Sequence, residues 1–379
     1  MKTFTVTYQI SLLEGEEISG KLEGICYEQS VEMPPDTISD EIRRRIVGRV
    51  TECEETGSQI YRASIEWPLA NTGNELTQFL NVLYGNISLQ SGIRVTGLDW
   101  DAFAKGAAND AAGHPLFSGP SFGIGGIRSL LNIPERPLSA TSLKPMGSTA
   151  TEIGDLCYRF ALGGIDIIKD DHGLADQTYA PFRERVLACT DAIRRAADAT
   201  GRRSVYISNI TGSWPDMMSR FETARELGAD GVMIAPHITG LAALREIALQ
   251  DDGLPIAAHP AFSGPYTLHG SSGFSKAFLY GELWRALGAD IVIYPNAGGR
   301  FSFSREECLQ LNHAARRPLS GFRSSFPMPG GGIQRHNLPE WVKSYKPDTV
   351  YLLGGSLYQH PDGIEAAARE INDVLTSSQ

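Results

Sequence analysis

Residues 167–172 read Ile-Ile-Lys-Asp-Asp-His. A short apolar run ends in a lysine, two aspartates and a histidine. Carboxylate and imidazole ligate divalent ions, and a lysine beside a carboxylate can move protons. Lys169, Asp171 and His172 are therefore candidate metal-binding or catalytic residues. The plain alternative is a lysine–aspartate ion pair beside a solvated histidine. The setting favours a site, because unpaired charge at the end of a buried strand is costly. Four adjacent residues cannot all face one point, so the string alone does not say which of them act together.

Other chemistry-bearing residues follow the same placement. Lys144, Asn209, His237, His259 and Asn296 each close a short apolar run. Gly330, Gly331 and Gly332 follow one such run, and Gly354 and Gly355 another. Glycine loops let backbone N–H groups approach an anion closely, which suits a phosphate. PNAGGRFSFSREE (295–307) reads equally as a mobile lid or as an ordinary exposed loop. His114, His269, His313, His336 and His360 carry no comparable setting.

These residues need a scaffold that gathers strand ends. The runs at 137–144, 164–171, 204–210, 231–237, 254–260, 289–296, 324–332 and 349–355 alternate with helical segments such as 151–163 and 219–229. Eight strand–helix units are the count of a (β/α)8 TIM barrel, whose chemistry sits at the C-terminal ends of the strands. A doubly wound sheet is the rival, but no GxGxxG follows the first strand. The fold class expected is α/β, a TIM barrel preceded by a smaller α+β, ferredoxin-like N-terminal domain. The domains are expected at 1–116 and 117–379, with HPLFSGPSFGIGG (114–126) as linker. In the N-terminal part, 4–10 and 59–69 read as strands and 74–85 as a helix. SDEIRRRIVGRVTECEE (39–55) reads as a helix capped by Ser39, with apolar spacing at Ile42, Ile46 and Val50.

The bulk composition narrows the partners. The chain has 379 residues, 42% of them hydrophobic and 21% charged, as in a soluble globular protein. A formal net charge of −10 argues against nucleic acid or an anionic membrane as partner, though not against a small anionic substrate. No segment has the length of apolar sequence a membrane span needs, and the N-terminus lacks a signal-peptide pattern. The five cysteines are scattered without a CxxC, which fits a reducing cytoplasm. A cytoplasmic location is the expectation.

The motifs resemble one family, the large chain of ribulose-bisphosphate carboxylase (RuBisCO) with its RuBisCO-like relatives. RPLSATSLKPMG resembles the family's first barrel strand with its IKPK motif, and GGIDIIKDDH resembles GGxDxxKDDE. VYISNITG, ETARELGADGVMIAPHITG, GLPIAAHPAF, PGGGI and LLGGSLYQHP follow in family order. The resemblance implies that Lys169 is the lysine carbamylated to N6-carboxylysine, that Asp171 binds a metal, and that Lys144 transfers protons. It implies that His259 and Asn209 lie near the substrate and that Gly330, Gly331, Gly332, Gly354 and Gly355 bind phosphate. In CYEQSVEMP and LYGN it implies that Glu28 and Asn86 reach a neighbouring subunit's site, hence a homodimer.

The departures shape the expected activity. His172 stands where carboxylases have a metal-ligating glutamate, Met146 replaces the second lysine of IKPK, and Pro260 replaces a phosphate-binding arginine. Arg300 falls near the family's lid lysine. Losing these groups argues against a bisphosphate substrate and against CO2 fixation. The expected function is enolisation or isomerisation of a phosphorylated keto-sugar, such as 5-methylthioribulose 1-phosphate, through an enediolate. One alternative is decarboxylation of a 3-oxo sugar-acid phosphate of the 3-oxo-isoapionate 4-phosphate type, where Arg300 would suit the carboxylate. Another is a non-catalytic binding or sensor protein. The cofactor implied is a divalent metal, Mg2+, with Mn2+ open because imidazole suits softer ions. Without a carbamate, Lys169 could itself be the general base.

Overall fold

The computed structural model describes residues 2–104, 108–250 and 253–377; the remainder of the expected domain ranges lies outside the described residues. Its strands are β1 (Thr3–Ser11), β2 (Arg49–Gly57), β3 (Ile60–Pro68), β4 (Ile93–Leu98), β5 (Leu138–Leu143), β6 (Ile167–Asp170) and β7 (Val205–Asn209). They continue with β8 (Gly231–Ile234), β9 (Ile256–Ala258), β10 (Gly273–Phe274), β11 (Ile291–Pro295), β12 (Phe326–Gly330) and β13 (Val350–Leu353). The chain forms two compact units, one of Met1–Ser118 with two later segments and one holding the rest.

The first unit is built on a five-stranded sheet in the order β10-β4-β1-β3-β2. Along β1 burial alternates, and Phe4, Val6, Tyr8 and Ile10 face the core. The helices Ile18–Glu28 and Leu76–Tyr84 bury Ile25 and Phe79. Phe4, Phe79 and Phe103 pack with ring centroids 5.2–5.5 Å apart. Here the expected long helix at 39–55 is corrected. Ser39 does cap a helix, accepting the Ile42 N–H, but that helix ends at Ile46 and Arg49–Gly57 is a strand. Pairing with β3 overrides the helical spacing, and Arg49–Glu66 and Arg62–Glu54 ion pairs cross the ladder. The expected linker is also shorter than its composition suggests. Its GIGG opens the helix Gly123–Leu131, because the Asp290 carboxylate, far along the chain, accepts the N–H groups of Phe122 and Gly123.

The second unit is a closed parallel barrel in the order β11-β12-β13-β5-β6-β7-β8-β9, so all eight apolar runs of the sequence are barrel strands. Its interior is filled by Leu138, Ala140, Ile167, Val205, Ile207, Met233, Ala257, Ile291, Ile293, Phe326, Met328 and Val350. Strand side chains alternate between two faces. Continuing the inward set by steps of two reaches Lys144, Lys169 and Asp171, Asn209, His259, Gly330 and Gly354. Asp170 has the opposite parity and faces the helices.

A device repeats at the other end of the barrel. Before β6, β8 and β11 the helix ends in a glycine with positive φ (Gly164, Gly228 and Gly288), and the next N–H bonds back to the carbonyl five residues earlier, a Schellman motif. The residue after that is an aspartate each time. Asp166, Asp230 and Asp290 each accept a backbone N–H of the neighbouring strand, from Ser139, Tyr206 and Ile256 respectively, at 2.8–2.9 Å. Three carboxylates thus stitch β5 to β6, β7 to β8 and β9 to β11. No helix among the described residues is long and apolar enough to cross a membrane.

Asp290 gives a test. Its Oδ1 holds Phe122 and Gly123 and its Oδ2 holds Ile256. Asp290→Asn turns an amide nitrogen toward one of these donors and should cost ~1–3 kcal/mol at pH 7, read by urea unfolding. Burial outweighs the N–H bonds and raises this carboxyl from 3.8 to about 6. Between those values the folded chain keeps a proton that the unfolded chain has released. The proton-linked part of its contribution is therefore full below pH 3.8 and is lost as pH rises through about 6, where the carboxylate's hydrogen bonds remain. The variant should lack that slope.

Candidate active site

Lys169 lies at the end of β6 on the inward face and is 1% exposed. Its Nζ donates to the Asp170 carbonyl at 2.9 Å. Burial drives its pKa down to about 8, Lys144 adds to the fall, and Asp171 and Asp170 oppose it. A substantial fraction is then neutral amine near pH 8, the form that can take a proton or react with CO2.

Asp171 is buried one residue beyond the strand. Its Oδ2 pairs with Lys144 Nζ, and its Oδ1 accepts the Gly173 N–H at 3.1 Å and lies 3.3 Å from His172 Nδ1. Burial acts to raise this carboxyl. The Lys144 and Gly173 hydrogen bonds and the charges of both lysines outweigh it, so Asp171 stays below the usual range and is ionised at neutral pH. Lys144 itself is steadied by Tyr358, whose hydroxyl accepts the Lys144 N–H at 2.9 Å and donates to the Ser142 carbonyl at 2.8 Å. Tyr358 was not among the candidates, although it lies within LLGGSLYQHP.

His172 stacks on His259 with centroids 4.4 Å apart and planes 9° from parallel. Burial, then nearby positive charge, lowers both imidazoles, His259 far more, and Arg300 contributes to the fall at His172. Two neutral rings stack without charge repulsion. The Ala261 N–H bonds to His259 Nδ1 at 3.1 Å, so a neutral His259 carries its proton on Nε2. His237 stands apart against Trp284, its pKa pushed down to about 4 by burial.

Asn209 continues the inward face of β7, but its amide is committed to the chain. Nδ2 donates to the carbonyls of His172 and Leu174, each at 2.9 Å. It therefore holds the loop that carries His172. The glycines divide likewise. A Cβ on Gly332 would lie 2.5 Å from Gly299 N and 2.8 Å from Ala297 O, so the loops after β11 and β12 meet backbone to backbone. The segment with the two readings of lid and loop is thus anchored at its start, beside Arg300. Gly354 and Gly355 face open space. In the first unit, Asn86 Nδ2 donates to Glu28 Oε1 at 3.0 Å.

The residues can be tested against a divalent cation by their donor chemistry. Among the described residues no group of three or more His, Cys, Asp or Glu side chains is placed to hold one. As an ammonium, Lys169 would bring positive charge to the ligand position. As N6-carboxylysine it supplies anionic oxygens beside Asp171, with His172 Nδ1 as a third donor. The set fits a cation on that condition, and the depressed Lys169 pKa favours the amine that carboxylation needs.

A barrel with lysines, a carboxylate and histidines at its C-terminal mouth and glycine loops after its last two strands defines an enzyme-like site. Residues 123–378 match the family model described as the ribulose bisphosphate carboxylase large chain, catalytic domain. Ribulose bisphosphate carboxylase-like protein 1 of Rhodopseudomonas palustris is 36% identical over 99% of this chain and 98% of its own length. The 5-methylthioribulose-1-phosphate isomerase of Rhodospirillum rubrum is 36% identical over 94% of this chain and 91% of its own. The crystal structure of a Rubisco-like protein from Rhodopseudomonas palustris superposes with a TM-score of 0.86 at 33% identity, covering 100% of this chain and 98% of that one. The chain belongs to the RuBisCO large-chain family and is a RuBisCO-like relative within it.

The glycines differ in what a side chain would meet, and the resemblance implies a phosphate role that the open ones allow. Gly332→Ala forces a Cβ into backbone at φ +69 and should lower stability by ~2–4 kcal/mol. Gly355→Ala enters open space and should leave the melting temperature unchanged while weakening inorganic phosphate binding, measured by calorimetry.

Proposed function

We propose that this protein catalyses proton transfer beside the ketone of a small phosphorylated keto-sugar, with 5-methylthioribulose 1-phosphate the best-fitting substrate and isomerisation through an enediolate the reaction. The observation that carries the reading is the buried, inward-facing Lys169 with its lowered pKa, beside an Asp171 already paired with a second lysine. Lys169, as amine or carbamate, takes the proton from the carbon next to the carbonyl. Lys144, held by Asp171 and Tyr358, returns one at the neighbouring position. His259, a neutral donor through Nε2, hydrogen-bonds a substrate oxygen. The glycine loops after β12 and β13 hold the phosphate by backbone N–H groups. A divalent cation, Mg2+ or Mn2+, bound by carboxylated Lys169, Asp171 and His172, would supply positive charge that lowers the cost of the enediolate.

The groups that a bisphosphate and CO2 would need are replaced: Met146 and Pro260 stand where the resemblance expects a lysine and an arginine. Exposed apolar side chains occupy several loops on this end of the barrel, Met146 after β5, Ile238 after β8, Phe262 after β9 and Phe301 after β11. Such loops suit an apolar substituent at the end of the substrate away from its phosphate, as the thioether in methylthioribulose phosphate. The name of the Rhodospirillum rubrum relative supports the same choice. Arg300, whose charge is felt at His172, favours a second reading, decarboxylation of a 3-oxo acid phosphate. The protein is proposed to work as a homodimer, with Glu28 and Asn86 contributed across it.

The test is NMR in deuterated buffer with bicarbonate and Mg2+ or Mn2+. Deuterium should enter the carbon beside the ketone of 5-methylthioribulose 1-phosphate as a new sugar phosphate forms. Lys169→Ala should lower that rate by at least about a thousandfold with the fold intact. Wild-type activity in that variant would refute the scheme, and CO2 release from the 3-oxo acid phosphate alone would establish the decarboxylase.

A further inference from the structure

The Asp170 carboxylate has no role in the proton transfer proposed above, yet the residue is more deeply buried than its neighbours. Its parity turns it outward from β6, into the layer between the barrel and its helices. Asp170, Arg185 and Tyr206 are all 0% exposed there. Asp170 Oδ2 accepts Arg185 Nε at 3.1 Å and the Asn209 N–H at 2.9 Å, and its Oδ1 accepts the Tyr206 hydroxyl at 2.8 Å. One carboxylate thus joins β6 to β7 and to the helix Phe182–Thr200.

Both nitrogen-bearing partners reach onward to the same place. Arg185 Nη1 donates to the Ala180 carbonyl at 2.8 Å and Nη2 to the Ala175 carbonyl at 2.7 Å. The Asn209 side chain holds the carbonyls of His172 and Leu174. Four carbonyls of the segment 172–180 are therefore held by two side chains, and both rest on Asp170. This segment begins where Asp171 and His172 enter the barrel mouth.

We propose that Asp170 is a positioning residue: its buried pair with Arg185, together with its bond to the Asn209 N–H, sets the conformation of the loop that presents Asp171 and His172. Its carboxylate touches no reacting atom; only its backbone carbonyl meets Lys169 Nζ. The link to turnover rests on the proton-transfer reading; the link to loop order does not.

Two variants separate positioning from mere stability. Asp170→Asn leaves the Arg185 charge buried and unpaired, which destabilises the fold. Asp170→Asn combined with Arg185→Gln removes that charge, so its melting temperature should recover toward wild type. The Ala175 and Ala180 carbonyls stay unheld in the pair, however, and the Asn209 N–H faces an amide in place of the carboxylate. Hydrogen exchange of the 171–181 peptide should rise at least about tenfold in the double variant, with the β11 and β12 peptides unchanged. Turnover should stay at least about tenfold down in kcat, with KM within about twofold, because the phosphate loops stand on other strands. Tyr206→Phe, which keeps both charges, should show the same split more weakly. Unchanged exchange in 171–181, or full recovery of kcat along with stability in the double variant, would overturn the proposal. Raised exchange in a chain whose wild type turns over no keto-sugar phosphate would sustain the positioning role and refute the proposed reaction alone.

Discussion

A residue in a barrel strand can face only inward or outward, and this binary choice orders everything else in the molecule. At the end of β6 it sends Lys169 and Asp171 to the mouth and Asp170 to the helices. The two destinations demand different partners. Inside, the buried Lys169 and Asp171 meet Lys144 and His172, whose side chains are half exposed at the mouth. Outside, nothing but protein surrounds the carboxylate, so it needs a guanidinium and a phenol fully buried with it. A string that looks overloaded with charge is two sites back to back.

The same parity explains why so much of the site is legible in the sequence. Lys144, Lys169, Asp171, His259, Gly330 and Gly354 continue the inward faces of their strands, and the apolar runs that define those strands stand out along the chain. What parity cannot reveal is which polar group is already committed. Asn209 has the inward position expected of a substrate contact, yet its amide holds two carbonyls of the His172 loop. Gly332 reads as a phosphate glycine, but a neighbouring loop alone suffices to require it.

The elements that differ from expectation share a cause. The helix expected at 39–55 is cut short by a strand partner whose register no local pattern encodes. The linker glycines become helical because a carboxylate 167 residues away caps them. Arg185 and Tyr206 carry no signal either, since an arginine within a helix usually faces water and a tyrosine within a strand usually packs. Long-range partners decide these cases, and a single chain read locally does not display them.

The repeated helix end, glycine, spacer and aspartate before β6, β8 and β11 closes the barrel from the face opposite the chemistry. These three stitches therefore lie in segments of the chain apart from the residues at the mouth. Met146, Pro260 and His172, where the resemblance expects a lysine, an arginine and a glutamate, take no part in the three carboxylate stitches. A scaffold divided in this way can be handed from one substrate to another by editing its mouth, while the joinery beneath is inherited intact.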